Sequence, residues 1–287
     1  MPELPEVQTI VSGLKSKILN KKIESLIELR DGTVRFHSVI KQVEFGVVDY
    51  IHRKGKYIIF ETSNDFKLVI HLRMSGKLIL AEPFKELPSH TRAYFVFQDK
   101  SKLIFDDVRA FGKIDVYEKN ISVPALENLG PDPFVNEDQF TPRYLRSIFK
   151  NRKSPIKSVL LNQKVIAGIG NIYACEILFH AGISPLESAK NLSADEIANL
   201  HSQIMKVLRE AILQNGTTIS DYKKIDNKTG NFQNFLMVYQ KKQCECGAKI
   251  IKIKQAGRST YYCEACQQLS RSAAQHVSRS AGYSLTC

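Results

Sequence analysis

No stretch of this 287-residue chain approaches the ~18 consecutive apolar residues that a membrane-spanning helix needs, which excludes such a helix. The first ten residues, MPELPEVQTI, lack a basic stretch followed by an apolar one, so no secretory signal is expected. No internal repeat is found, which excludes a solenoid. A spread-out disulfide framework is also missing: four of the six cysteines fall within the span 244–266, and the other two are Cys175 and Cys287. A clustered quartet without an export signal reads as a metal site in a reducing, cytoplasmic compartment. Acidic residues are scarce, 29 against 41 basic ones, for a formal net charge of +12. That excess points to a polyanionic partner. Nucleic acid is favoured over an anionic membrane surface, because no amphipathic basic anchor stands out.

Enough apolar sequence is present to build a core: 43% of residues are hydrophobic and 24% charged. The length suggests two domains, or one with an appendage. Val7, Ile10, Val11, Leu14 and Ile18 recur at helical spacing behind Pro5. From about residue 22 to 117 the pattern is β, with apolar runs at 47–51, 57–60, 68–72, 77–80, 93–97 and 102–105. Many short strands at close spacing predict a sandwich or barrel. LGPDPF at 129–134 marks a linker, and helices follow it: one after Thr141-Pro142, one over about 155–162, one from Asn171 to about His180. A further helix opens at Ser193 with Glu196 in a capping-box pattern and stops at Asn215-Gly216. Residues 217–236 read as a long loop.

Three groups carry chemistry. Pro2 follows Met1, and removal of Met1 would leave a secondary amine that titrates near ~8, more than two units below lysine. Such an amine can attack a sugar aldehyde carbon, and Glu3 beside it could move protons; an ordinary helix entry is the plainer reading of these two residues. Gly168-Ile169-Gly170 lacks the third glycine and preceding strand of a dinucleotide site. It suits instead a close backbone approach before a helix whose N–H groups, with Asn171, can hold a phosphate. Lys150, Arg152, Lys153 and Lys157 form a basic cluster that would track a DNA backbone or else line a solvated face. The quartet reads Cys244-Glu-Cys246, then sixteen residues, then Cys263-x-x-Cys266. Tetrahedral thiolate sites use CxxC knuckles. The second pair obeys that spacing; the first is CxC, so either that knuckle is distorted or another ligand replaces Cys244. The alternating segment between the pairs predicts a β-hairpin presenting Arg258. Cys175 reads as a small core residue, and Cys287 as part of the tail.

The string MPELPEV resembles the opening of the formamidopyrimidine-DNA glycosylase family. RKGKY, HLRMSG, DDVRAFG and KVIAGIGNIYACEILFHAGISP resemble further motifs of that family in the expected order, so the resemblance covers about 1–266. It implies an α+β fold: an N-terminal β-sandwich flanked by helices over 1–128, a linker at 129–140, a helix–two-turn–helix domain at 141–236 and a β-hairpin zinc finger at 237–266. A disordered tail at 267–287 would follow.

The resemblance also implies residue roles. Pro2 would be the nucleophile, Glu3 the acid/base and Lys56 a partner in handling charge, while Arg258 would contact phosphates and assist the second elimination. Met74, Arg109 and Phe111 would fill the void left by an extruded base; outside this context Met74 and Phe111 would read as core or hairpin residues. His90 and Asn171 would contact phosphates, together with Arg152 and Lys157, and Glu176 would orient its neighbours. Cys244, Cys246, Cys263 and Cys266 would hold one structural Zn2+.

The expected function is a bifunctional DNA glycosylase and abasic-site lyase of base excision repair. It would excise 8-oxoguanine and formamidopyrimidines from damaged double-stranded DNA in a basic cleft, as a bacterial, cytoplasmic, nucleoid-associated monomer. The loop at 217–230, with Ser220 where some relatives carry a basic residue, would close over the flipped base. Two features depart from the family pattern, Ala110 in place of a second arginine and the CxC knuckle. Other readings are an endonuclease VIII-like enzyme for oxidised pyrimidines, against which Leu4 argues because that branch has glycine there, a non-catalytic damage binder, and a zinc-ribbon interaction module.

Overall fold

The computed structural model describes residues 1–37, 43–217 and 230–268. Most of the loop at 217–230, including Ser220, and the tail from 269 with Cys287 lie outside the described residues. The chain divides into two compact units, one of Met1–Asn128 with Glu210–Asn234, the other of Leu129–Arg209 with Phe235–Cys287.

In the first unit, α1 (Leu4–Ile18) starts where Pro5 supplies a helical φ in the first turn, and it buries Val7, Ile10, Val11, Leu14 and Ile18. Nine strands follow: β1 (Lys22–Glu28), β2 (Val34–Phe36), β3 (Gly46–Lys54), β4 (Tyr57–Thr62), β5 (Phe66–His71), β6 (Gly76–Ala81), β7 (Thr91–Phe97), β8 (Lys102–Asp107) and β9 (Lys113–Glu118). Their hydrogen-bonded order is β2-β9-β5-β4-β3-β1-β7-β8-β6. The link between β3 and β1 is short, with Lys22 opposite Val47 and Ile23 opposite Gly46. The halves on either side of it fold face to face. Phe60 on β4 meets Phe95 on β7 at 6.1 Å between ring centroids, although two strands separate them in the order. One apolar cluster takes residues from both halves and from α1, which is the expected sandwich with a helix packed against it. The short strand β2 pairs parallel to β9, where Arg35 donates two hydrogen bonds to the Asp115 carboxylate.

The second unit is helical. It contains α3 (Pro142–Phe149), α4 (Ile156–Leu160), α5 (Asn171–His180) and most of α6 (Ala194–Leu213), while α2 (Pro124–Glu127) belongs to the first unit. Thr141 caps α3 by accepting the Tyr144 N–H at 3.1 Å. Before α6 the capping box is complete: Ser193 Oγ accepts the Glu196 N–H, and Glu196 accepts the Ser193 N–H. Ile197, Leu200, Ile204, Val207 and Leu208 are buried along α6. The finger hairpin pairs β10 (Ile251–Gln255) with β11 (Arg258–Tyr262). Gln267 and Gln268 continue the described structure beyond the hairpin: the Gln267 side chain accepts the Cys263 N–H and donates to the Ile183 carbonyl. No helix among the described residues is long and apolar enough to cross a membrane.

Candidate functional site

The amino terminus is built into the start of α1. Pro2 is buried, and Met1, bonded to its nitrogen, is 46% exposed. Glu3 is buried, and its N–H donates to Glu6 Oε2 at 2.8 Å. The other oxygen of Glu6 accepts the Thr217 N–H at 2.8 Å and the Thr217 hydroxyl at 3.1 Å. Gly216 has φ +77°, and a Cβ there would lie 2.6 Å from Glu6 Oε1, so this approach needs glycine twice over. One buried carboxylate thus ties the nucleophile candidate's neighbour to the root of the segment that begins at 218. Glu6 stands three residues after Glu3 and closes a capping box at the start of α1, a local signal; its second partner, Thr217, is not marked by any sequence pattern.

Lys56 lies in the two-residue turn between β3 and β4, beside Gly55 at φ +57°. Arg53, also buried, donates to Gln8 on α1 at 3.1 Å and to the Gly55 carbonyl at 2.9 Å, which ties this turn to the helix carrying the amino terminus. His71, paired with Tyr57, went unnoticed in the sequence. Burial, with Arg73 and Lys56 nearby, pushes its pKa down to about 3. Its Nδ1 accepts the Arg73 N–H at 3.0 Å, so the proton of the neutral ring sits on Nε2, a donor suited to an anionic oxygen. The neighbouring Arg73 is exposed.

Met74, Arg109 and Phe111 come together on two turns. Gly76 at the start of β6 is paired with Asp107 at the end of β8, so the turn before the one and the turn after the other are adjacent. Met74 is 47% and Phe111 53% exposed, and the Arg109 guanidinium stands 5.0 Å from the Phe111 ring centroid. Neither apolar side chain is a core residue. His90 is exposed just before β7, and its carbonyl accepts the Asp107 N–H.

In the second unit, Asn171 opens α5 behind Gly170. Lys157 corrects the sequence reading. It was expected to track phosphates with Lys150, Arg152 and Lys153, yet only 1% of it is exposed. Its Nζ donates to Asn171 Oδ1 at 2.7 Å, Thr260 Oγ1 at 2.6 Å and the Ser259 carbonyl at 3.3 Å. Asn171 Nδ2 donates to that same carbonyl at 2.8 Å. A buried ammonium needs such a shell of acceptors. It joins α5 to the strand that begins with Arg258, which is exposed beside the Ala256-Gly257 turn. Glu176, 1% exposed on α5, accepts the N–H groups of Met237, Val238 and Tyr239. Burial raises its pKa against those bonds. It orients the chain entering the finger, as expected.

The four finger cysteines converge, all Sγ atoms lying within 4.8 Å of one another. Cys244 and Cys266 are 3.8 Å apart, and Cys246 and Cys263 are 3.6 Å apart. Four thiolates at the usual zinc–sulfur distance form a tetrahedron with edges of about 3.8 Å, so the quartet fits one structural Zn2+. Cys244 belongs to it despite the short knuckle. Cys175 is buried, and burial pushes its thiol up to about 11.

Comparison with known proteins agrees with this arrangement. Residues 1–114 match the formamidopyrimidine-DNA glycosylase N-terminal domain, 129–223 its H2TH domain, and 245–269 the zinc finger found in FPG and IleRS. A formamidopyrimidine-DNA glycosylase of Wolbachia sp. subsp. Brugia malayi is 41% identical over 273 residues, covering 93% of this chain and 100% of the relative. A Lactococcus lactis FPG variant solved with Fapy-dG-containing DNA superposes with TM-score 0.86 at 37% identity, covering 93% of this chain and 100% of that one. The wild-type Lactococcus lactis protein, solved with oxidised-pyrimidine-containing DNA, gives TM-score 0.84 at 36% identity with the same coverage. With matches to both halves and to the finger, and a full-length relative above 40% identity, the chain belongs to the formamidopyrimidine-DNA glycosylase family of DNA repair glycosylases.

Proposed function

We propose that this protein, after loss of Met1, is a bifunctional DNA glycosylase and abasic-site lyase acting as a monomer on oxidised purines in duplex DNA. The observation that carries the reading is the amino terminus: Pro2 behind a single surface residue, with Glu3 held beside it by Glu6. The damaged nucleotide leaves the stack at a cost of a few kcal/mol, which damage lowers. Met74, Arg109 and Phe111 occupy the vacated space.

The neutral Pro2 nitrogen attacks C1′ of the everted sugar. The bond from C1′ to the base breaks, its electron pair leaves with the base, and the base takes up a proton. The sugar ring opens to an iminium ion on Pro2. Removal of a C2′ proton then expels the 3′ phosphate, loss of a further sugar proton in a second elimination, which Arg258 assists, expels the 5′ phosphate, and water hydrolyses the remaining iminium to free the Pro2 amine. Glu3 and Lys56 give and take the protons in these steps. His71, Arg73, His90, Asn171 and Arg152 hold phosphates, so affinity falls steeply with salt. The cysteine quartet binds Zn2+ as a crosslink that holds the Arg258 hairpin; no step passes through the metal.

Borohydride trapping on an 8-oxoguanine duplex tests this. Processed protein should give a covalent adduct, while protein retaining Met1, whose Pro2 nitrogen is a non-nucleophilic amide, should give little. No adduct from processed protein would refute the reading. The Lactococcus neighbour bound to oxidised-pyrimidine DNA favours a second reading, a lesion range that includes oxidised pyrimidines. Side-by-side cleavage of 8-oxoguanine and thymine glycol duplexes separates the two, and Leu4 favours the purine.

A further inference from the structure

Asp107, at the end of β8, has no exposed surface. Its Oδ1 accepts the Ser75 hydroxyl at 2.5 Å and the Arg109 N–H at 3.2 Å, and its Oδ2 accepts the Gly112 N–H at 2.8 Å. Ser75 Oγ accepts that same Arg109 N–H at 3.1 Å. The Asp107 carbonyl accepts Arg92 Nε at 2.7 Å and the Ala110 N–H at 3.2 Å. A Cβ on Gly112 would lie 2.4 Å from Phe105 Cζ, so a side chain cannot stand there without displacing the ring. One carboxylate therefore closes the turn carrying Arg109 and Phe111 and, through Ser75, grips the turn carrying Met74. A buried carboxylate needs donors in compensation, and here nearly all of them come from these two turns. The result is two half-exposed apolar side chains and an arginine held in fixed relation on a rigid base.

We infer that Asp107 and Ser75 are a positioning pair that makes Met74, Arg109 and Phe111 a single wedge, so that the three enter the duplex as one unit. This rests on the void-filling role proposed above. Asp107 itself touches no DNA.

The test uses zinc-loaded, Met1-processed, full-length protein on two substrates, an 8-oxoguanine duplex and a single-stranded abasic oligonucleotide that offers no void to fill. Ser75→Ala should slow duplex excision about tenfold, the factor that one hydrogen bond to a charged group carries. Cleavage of the single strand should stay within about twofold, since only the duplex arm needs the wedge. In a Met74→Ala background, Ser75→Ala should add less than about twofold, because it acts through Met74. Asp107→Asn turns a donor toward the Gly112 N–H and should slow duplex excision further, with a thermal melt confirming that it folds.

Unchanged duplex rates in both variants, equal losses on both substrates, or full additivity with Met74→Ala would each overturn the inference. Absence of excision by the wild type would overturn the glycosylase reading and this inference with it. Wild-type excision beside unaltered variants overturns the inference alone.

Discussion

Replacing Lys157 with methionine separates two roles that a basic residue in a DNA-binding protein can play. The side chain is 1% exposed and holds three acceptors, two of them at 2.6 and 2.7 Å. Methionine preserves the stem but leaves Asn171 Oδ1 and Thr260 Oγ1 short of a donor. Each buried orphan costs about 1–3 kcal/mol, and relief of the ammonium's own desolvation offsets part of the sum, so a net loss of about 2–3 kcal/mol is expected. In a domain of this size that lowers Tm by roughly 5–10 °C, readable by calorimetry.

The second measurement is a salt titration of binding to a duplex carrying an uncleavable abasic analogue. A lysine that neutralises a phosphate contributes about 0.9 to the slope of log K against log salt. An amine already sealed among protein acceptors has no counterion to release, so the Lys157→Met slope should equal the wild-type slope. Arg152→Ala should lower it by about one contact's worth. A variant with unchanged Tm and a reduced slope would refute the buried-hub argument and return Lys157 to the DNA surface.

Two other outcomes follow from the site. Cys244→Ser should lose zinc to a competing chelator at concentrations that leave the wild type loaded; equal retention would remove Cys244 from the ligand set. His71 carries a pH signature. Its pKa in the folded chain lies near 3 against 6.5 for the ordinary group, so protonation favours the unfolded chain. Its contribution is complete above 6.5 and is lost as pH falls toward about 3. Wild-type Tm should therefore fall more steeply between pH 6.5 and about 4 than that of His71→Gln, and parallel curves would contradict a buried neutral imidazole.

Local pattern made the scaffold readable where one segment's own periodicity dictates its burial. The five apolar positions of α1 all face the core, and Ser193 and Glu196 form the capping box that their spacing announces. Five of the six apolar runs fall within strands, and the run at 68–72 passes the end of β5 by one residue, Leu72. Less visible was the three-residue β2, too short to show a period, which exists because β9 offers a parallel edge and Asp115 a partner for Arg35. The charge on Lys157 suggested solvent, since a single sequence does not reveal that Thr260, about a hundred residues on, supplies an acceptor. His71 closes an apolar strand and opens the HLRMSG string, where Met74 was the residue singled out; its burial against Tyr57 is set by the pairing of β5 with β4.

By itself the sequence determined the order of strand-rich and helical segments and the cysteine quartet, because helical and strand periods and the clustering of cysteines are local properties of the chain. Only the tertiary structure decided which charges are buried and what they hold: Glu6 between Glu3 and Thr217, Asp107 between two turns, Lys157 between α5 and β11. Apart from the Glu3–Glu6 bond, which spans three residues, those contacts join Glu6 to Thr217, Ser75 to Asp107 and Lys157 to Thr260, partners far apart in sequence that meet at hydrogen-bond distance in buried sites, and no local pattern encodes that meeting.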